Sequence, residues 1–512
     1  MDTTTSGFTR IGVVGSGVMG RGIAQIFAQI GIPVRLHDSQ PQALDAAVKS
    51  LDSAFAMLQE KGRMTADRAE RARACVLPSA ALADLADCDL VVEAIVERLD
   101  AKRQLIDALE AVLCRQAVIA SNTSSLSITA IAATSRHPER IAGYHFFNPV
   151  PLMKIVEVIG GPRTDPAVLE RLSALSRAAG HHPVTALDTP GFIVNHAGRG
   201  YGTEALKVIG EGVADPFTVD RIMREQANFG GAGFKLGPFE LMDLTGLDVS
   251  HPVMESIYHQ YYEEPRFRPS VLAAQRAAAG LHGRKRGEGW YRHIEGKQQN
   301  PAEPDPPAAA LPASVWVAPG PKRDAVAALV SSLGGRIESG PRPGAESLIV
   351  LAPLGHDATH ACSDLPAERC IALDTLFPFA KGQCQRRTIM ATPATRSEFR
   401  DSAHALFASD GVRVSTIRDS AGFVAPRIIA VMVAIACEIA QQRIASPADI
   451  DAAVRLGLGY PVGPLTMGDT VGAPVINRLL AEIYEVTGDP RYRPSPWLRR
   501  RASLGLSLLK SD

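Results

Sequence analysis

Two residues in the stretch GYHFFNPVPLMKIVEVIGG, 143–161, have the types needed to move a proton: His145 and, twelve positions on (157 − 145), Glu157. A histidine titrates near neutrality, so it can act as a general base or acid. A carboxylate inside MKIVEVIG is costly to bury alone. Beside a histidine it would fix the ring's tautomer and stabilise its developing positive charge. The run 141–147 reads as one strand and 153–159 as another. NPVP between them can reverse the chain, which would bring His145 and Glu157 side by side. The same residue types also suit a hydrogen-bonded core histidine and an edge-strand glutamate facing water.

A second group of residues suits a dinucleotide. RIGVVGSGVMGRGIAQIFAQIGIPVRLHDSQP starts with a buried-strand run, Ile11 to Val14, followed by Gly15, Gly17 and Gly20 at G-x-G-x-x-G spacing. Gly15 permits the tight turn, Gly17 lets a pyrophosphate approach the backbone, and Gly20 lets the next helix pack on the strand. The intervening Ser16, Val18 and Met19 place backbone N–H groups at that helix start, where phosphates bind. Asp38 ends the next strand, 18 positions after Gly20 (38 − 20), where a carboxylate accepts from ribose hydroxyls. No Arg follows it directly, which favours NAD over NADP.

Further strands, DLVVEAIVE (89–97) and AVIASNTSSLSI (117–128), continue a parallel βα rhythm. EAIVERLDAK places Glu93, Glu97 and Lys102 just after a strand, at the edge where such sheets hold ligands. A solvated helix face would have the same composition. SNTSSL offers Asn122 and Ser124 at the next strand end, and equally offers a helix N-cap.

The elements that position these residues sit in a chain of 512 residues, too long for one core. Lys+Arg and Asp+Glu are equal at 54 each, which argues against a nucleic-acid partner. Seven Cys without a C-x-x-C pair read as reduced thiols, and MDTTTSGFTR has no apolar segment, so a cytoplasmic location is expected. The most apolar helical run, 423–440, holds Pro426, Arg427 and Glu438; it reads as a core helix and no membrane partner is expected. No metal site is expected.

Five motifs in order, VVGSGVMGRGIAQ, VVEAIVERLDAK, SNTSSLSI, YHFFNPVPLMKIVEVI and DTPGFIVN, resemble the L-3-hydroxyacyl-CoA dehydrogenase family over about residues 8–293. The resemblance implies NAD-dependent, reversible oxidation of an (S)-3-hydroxyacyl-CoA. It implies an α/β Rossmann-type domain followed by an all-α domain. It makes His145 and Glu157 the general base pair. Ser124 and Asn195 would flank the substrate oxygen, Asn148 would hold the nicotinamide ribose side, and Glu97 and Lys102 would contact the cofactor's far end. Lys61, among Arg63, Arg68, Arg71 and Arg73, would meet the CoA phosphates, although a solvated helix face explains that stretch as well. One departure from the family pattern is HAGRGYGTEAL. Gly198, Gly200 and Gly202 are expected to break or loosen the helix after Asn195 and widen the acyl pocket. Arg199 would then meet an acidic acyl tail or simply face water.

The second half repeats the first. DTPGFIV (188–194) resembles DSAGFVA (419–425) at an offset of 231 (419 − 188). LGPFELMDLTGLD and VGPLTMGDTVGAP match again, as do EEPRFRPS and GDPRYRPS. The expected domains are 1–187, Rossmann; 188–295, helical; 296–314, a Pro/Ala linker; 315–414, a degenerate Rossmann-like relic; and 415–512, a second helical copy. In the relic, SVWVAPGPK starts like a strand and helix but lacks the glycines, and Asp374 stands where the histidine should be. The two helical copies are expected to pair within the chain, in place of or beside a homodimer. This long form resembles bacterial enzymes of phenylacetate breakdown, whose substrate would be 3-hydroxyadipyl-CoA, with 3-hydroxybutyryl-CoA and general β-oxidation substrates also open. A hydroxyacid dehydrogenase acting without CoA, or a non-catalytic NAD-binding scaffold, are the alternatives.

Overall fold

The computed structural model describes residues 7–511, which form two compact units. The first holds the chain through His196 together with Gln442–Leu458. Its core is one eight-stranded sheet of β1 (Ile11–Val14), β2 (Val34–His37), β3 (Val76–Ser79), β4 (Leu90–Glu93), β5 (Val118–Ser121), β6 (Ile141–Phe146), β7 (Ile155–Gly160) and β8 (His182–Leu187). The order is β3-β2-β1-β4-β5-β6-β7-β8. Strands β1 to β6 are parallel; β7 runs antiparallel to β6, and β8 parallel to β7. The strands β1, β4, β5, β6 and β7 are buried throughout, as their unbroken Val/Ile/Ala runs require of a sheet covered on both faces. The first helix, α1 (Val18–Gln29), buries Ile23, Ile26 and Phe27 against it. Helix α2 (Leu99–Val112) and the short α3 (Ile128–Ala132) follow β4 and β5. The helix Pro447–Leu458, distant in sequence, packs on the β7–β8 edge, where Leu187 N–H donates to Ile444 O at 2.8 Å.

The second unit comprises Ala197–Gln441 and Gly459–Asp512. It contains a five-stranded sheet: β9 (Val315–Val317), β10 (Leu348–Leu351), β11 (Cys370–Leu373), β12 (Arg386–Ala391) and β13 (Arg413–Ile417), in that spatial order. Only the β11–β12 pair is antiparallel. The first residues of β10 to β13 lie 230 (348 − 118), 229 (370 − 141), 231 (386 − 155) and 231 (413 − 182) positions after those of β5 to β8. Strand β9 therefore matches β4. The SVWV run is the counterpart of DLVV and does not begin a worn glycine turn. Among the described residues this sheet has no counterpart of β1 to β3, so the phosphate-binding half is missing outright. A cap survives in both copies. Asp188 accepts from Ser127 Oγ and from the N–H groups of Ile128 and Thr129, and Asp419 accepts from the N–H groups of Ala358 and Thr359.

In the same unit, α4 (Arg199–Gly210) packs on α5 (Ala425–Gln441). The expected break is found at Gly198 and not at the other two glycines. The helical run is interrupted only at Gly198, and Gly200 and Gly202 lie inside α4. A Cβ on Gly200 would come within 3.2 Å of the Met432 backbone, so this glycine serves close helix approach. Beside that contact Glu204 is fully buried and accepts from Arg427 Nε (2.5 Å), Arg491 (2.9 Å) and Tyr492 Oη (2.6 Å). Burial would raise its pKa, but the two guanidinium groups outweigh burial and hold it down at about 2. Among the described residues no helix is long and apolar enough to cross a membrane.

Candidate active site

Strands β6 and β7 pair His145 directly with Glu157 in register. Glu157 is completely buried and His145 nearly so. His145 Nδ1 lies 2.6 Å from Glu157 Oε2. The other carboxylate oxygen accepts the N–H groups of Ile193 (2.9 Å) and Val194 (2.8 Å). These two donors answer how an apolar run tolerates a glutamate: every face of the carboxylate is met. The turn that delivers them, PGFIVN, needs positive φ at Gly191 (77°) and at Phe192 (48°). Phe147 and Phe192 flank the imidazole with ring centroids 4.4 and 5.9 Å away. A carboxylate on Nδ1 leaves Nε2 as the ring nitrogen that can exchange a proton with a ligand.

Asn122 joins the ends of β5 and β6: its Oδ1 accepts Phe146 N–H at 2.9 Å. Glu97 Oε1 accepts from Thr123 Oγ1 (2.6 Å), from the N–H groups of Ser124 (3.0 Å) and Ser125 (3.1 Å), and from Ser125 Oγ (2.9 Å). Burial raises the Glu97 pKa, but these donors and Lys102 together hold it below the usual range. Lys102 is 1% exposed and its ammonium lies against Glu93 Oε1, with Glu97 Oε2 3.3 Å away. Glu93 Oε2 in turn accepts Ser121 Oγ at 2.6 Å. The ammonium is consumed by two carboxylates beneath the loop, and Glu97 holds the turn that carries Ser124. Spacing showed the charges at a strand end but not that Glu93 and Lys102 are buried while Glu97 stays exposed.

Ser124 and Asn195 are half-buried, Asn148 is exposed, and Lys61 is exposed at the end of the helix Pro41–Glu60 with Arg63, Arg68 and Arg71 also exposed. Arg199 starts α4 in the second unit, where burial pulls its pKa down to about 10.

The glycine turn fits a dinucleotide. A Cβ on Gly15 would lie 2.5 Å from Ala94 O, and one on Gly20 would overlap Gly15 O, so both close approaches need glycine. At Gly17 a Cβ would meet nothing within 4 Å, which leaves room at the start of α1 for a pyrophosphate. Ser16, Val18 and Met19 lie in this turn. Asp38 stands at the tip of β2, accepting from Ser16 N–H (2.8 Å), Ser16 Oγ (2.7 Å) and Gln40 N–H (3.0 Å). Burial raises its pKa, yet those bonds bring it below the ordinary value, so the carboxylate is charged and disfavours a 2′-phosphate.

Comparison with known proteins agrees with this arrangement. The 3-hydroxyacyl-CoA dehydrogenase NAD-binding domain matches residues 10–189, and the family's C-terminal domain matches twice, at 191–293 and 422–511. The chain belongs to the 3-hydroxyacyl-CoA dehydrogenase family. It is 35% identical over 500 residues to 3-hydroxyadipyl-CoA dehydrogenase of Escherichia coli, covering 96% of this chain and 97% of the relative. It resembles the crystal structure of a 3-hydroxybutyryl-CoA dehydrogenase from Escherichia coli K12 with TM-score 0.81 and 33% identity, over 97% of this chain and 98% of that one. A shorter relative, (S)-3-hydroxybutyryl-CoA dehydrogenase from Ralstonia eutropha, matches 56% of this chain and all of its own length, with TM-score 0.53 and 36% identity. The dehydrogenase uses NAD to interconvert 3-hydroxyacyl-CoA and 3-oxoacyl-CoA.

The dehydrogenase's second sheet has no such dyad. Asp374 and Thr388 occupy the positions of His145 and Glu157, and Asp374 N–H donates to Thr388 O at 3.0 Å. Gln226 fills the space between them, donating to Asp374 Oδ2 (2.7 Å) and accepting from Thr388 Oγ1 (2.5 Å). All three side chains are buried.

Proposed function

We propose that His145 is the general base that takes the 3-hydroxyl proton of an (S)-3-hydroxyacyl-CoA, and returns it in the reverse direction. When bound, NAD supplies the hydride acceptor. Gly15 to Gly20, Asp38 and Asn122 hold the dinucleotide, with Asn148 on the nicotinamide ribose side. Ser124 donates to the 3-oxygen, and Asn195 orients the substrate carbonyl. Glu97 and Lys102 lie towards the cofactor's far end, and Glu97 also holds the turn that carries Ser124. Lys61 is the candidate contact for CoA phosphates. The observation that carries this reading is the buried Glu157 on His145 Nδ1, with its remaining oxygen held by two main-chain N–H groups.

The acyl group in this reading is a short chain, and a terminal carboxylate is favoured by similarity to the 3-hydroxyadipyl-CoA enzyme along nearly the whole chain. The setting is cytoplasmic breakdown of fatty acids or phenylacetate. The domains divide as 1–187, 188–295, 315–414 and 415–512 about the linker 296–314. Pairing of α4 with α5 inside one chain takes the place of a contact between subunits in this reading, so an assembly built on that face is not needed.

NADH oxidation with 3-oxoacyl-CoA thioesters of graded length, with and without a terminal carboxylate, tests the reading. Turnover with CoA esters and none with the free 3-oxo acids is expected. NADH binding without turnover on any CoA ester would overturn it.

A further inference from the structure

A cavity of about 510 Å³ lies in the second unit, at the carboxyl edge of the five-stranded sheet. Its walls include the segments that follow β9 (Ala318 to Arg323), β10 (Ala352 to Leu354) and β11 (Thr375, Leu376), closed by residues of the helices Pro464–Val471 and Ala473–Thr487. Open α/β sheets bind ligands at this edge. The sheet has lost its glycine turn and its dyad position is filled by Gln226, yet this edge is open. A volume of this size is in the range of small-molecule sites.

The lining states what kind of molecule fits. Leu351, Leu376, Val471, Pro474 and Val475 make an apolar body. Glu482, the one carboxylate in the wall, is consumed: Oε1 accepts from Arg478 Nε and Oε2 accepts Gly355 N–H at 2.8 Å. Lys322, exposed, and Arg323, half-buried, line the cavity, and among the described residues neither has a carboxylate within ion-pair distance. They start the ten-residue helix Arg323–Ser332, which has no side-chain cap; its dipole adds to the positive end, and Asp324 in the first turn offsets part of it. Lys322 and Arg323 make one end cationic, and Arg478, His356 and Thr375 also line the wall beside the apolar body.

We propose that this cavity is a second, non-catalytic binding site for a small carboxylate with an apolar chain. The carboxylate sits at Lys322 and Arg323, and the chain lies between Leu376 and Val475. The proposal is independent of the reaction at His145, because it is read by binding alone.

The test titrates full-length protein, saturated with NAD, with hexanoate by calorimetry or ligand-observed NMR. Hexanamide serves as the uncharged control and inorganic phosphate as the bare anion. Saturable hexanoate binding is expected, at least about tenfold tighter than hexanamide or phosphate. The Lys322→Glu/Arg323→Glu double variant, and separately Val475→Trp, should each weaken it at least about tenfold. The double variant should keep wild-type NADH oxidation with a 3-oxoacyl-CoA, which also shows that it folds. Absence of saturable binding, binding unchanged in the double variant, or phosphate binding as tightly as hexanoate would each overturn the proposal.

Discussion

Changing Glu157 to Gln alters one heavy atom and should remove most of the turnover. Oε1 accepts two main-chain N–H groups, from Ile193 and Val194. An NH₂ group there would face two donors, so the amide oxygen must take that place. The NH₂ then points at His145 Nδ1, 2.6 Å away in the native pair. Nδ1 must become the acceptor, and the ring proton moves to Nε2. The nitrogen that should take the substrate proton no longer has a free lone pair. A comparable wrong-tautomer substitution in a His–carboxylate pair costs ~10⁴ in kcat, which is about 5.4 kcal/mol at 1.36 kcal/mol per decade. We expect a loss of 10³- to 10⁴-fold, on the order of that precedent. KM for NADH should stay near wild type, because the glycine turn is untouched. Stability should fall by no more than about 1.5–3 kcal/mol, since one charge-assisted bond is weakened and two main-chain bonds persist. Stopped-flow NADH oxidation with a 3-oxoacyl-CoA, beside a thermal melt, reads both quantities. A folded Glu157→Gln protein with kcat within tenfold of wild type would refute the assignment of His145 as the base.

Gly17→Ala should fold normally, since its Cβ meets nothing within 4 Å, yet weaken NADH at least tenfold by fluorescence titration, on the order of one lost close approach. Gly20→Ala, whose Cβ would overlap Gly15 O, should instead lower the melting temperature. Glu204→Gln takes the paired carboxylate from buried Arg491 and leaves Arg427 with Glu211 alone, and should cost about 3–5 kcal/mol in urea unfolding at pH 7. Because the folded pKa of Glu204 is held near 2, below its unfolded value, that contribution is present above the unfolded pKa and is lost as pH falls towards 2; the gap between variant and wild type should close in acid. Burial lifts the Asp374 pKa to about 7, the opposite sign, so its contribution is full at low pH and is lost as pH rises to 7. The melting temperature of Asp374→Asn should therefore gain on wild type between pH 4 and 7, and an unchanged difference would count against a buried neutral acid there.

The sequence by itself determined whatever depends on neighbours in the chain. The strand–glycine–helix–strand unit ending in Asp38 is such a case, because each glycine answers to a local turn or to the helix beginning three residues later. The antiparallel register of His145 with Glu157 is another: two short apolar runs and a reversing NPVP leave few ways to pair. The repeat was legible for the same reason, as residue order survives at a fixed offset. Tertiary structure alone decided what long-range partners do. The donors that make a buried Glu157 tolerable come from Ile193 and Val194, on a turn with no sequence mark for that role. Spacing places Lys102 at a strand end; that its ammonium is buried between Glu93 and Glu97 is decided by the fold. The glycines after Asn195 read as a broken helix; the break falls at Gly198 alone, and close packing of α5 accounts for the missing side chain of Gly200. Only strand order shows that the second sheet has no counterpart of β1 to β3, and that Gln226 fills the vacated dyad position. Periodicity records which way a residue faces within its own element, but which distant groups meet it is fixed only when the core closes.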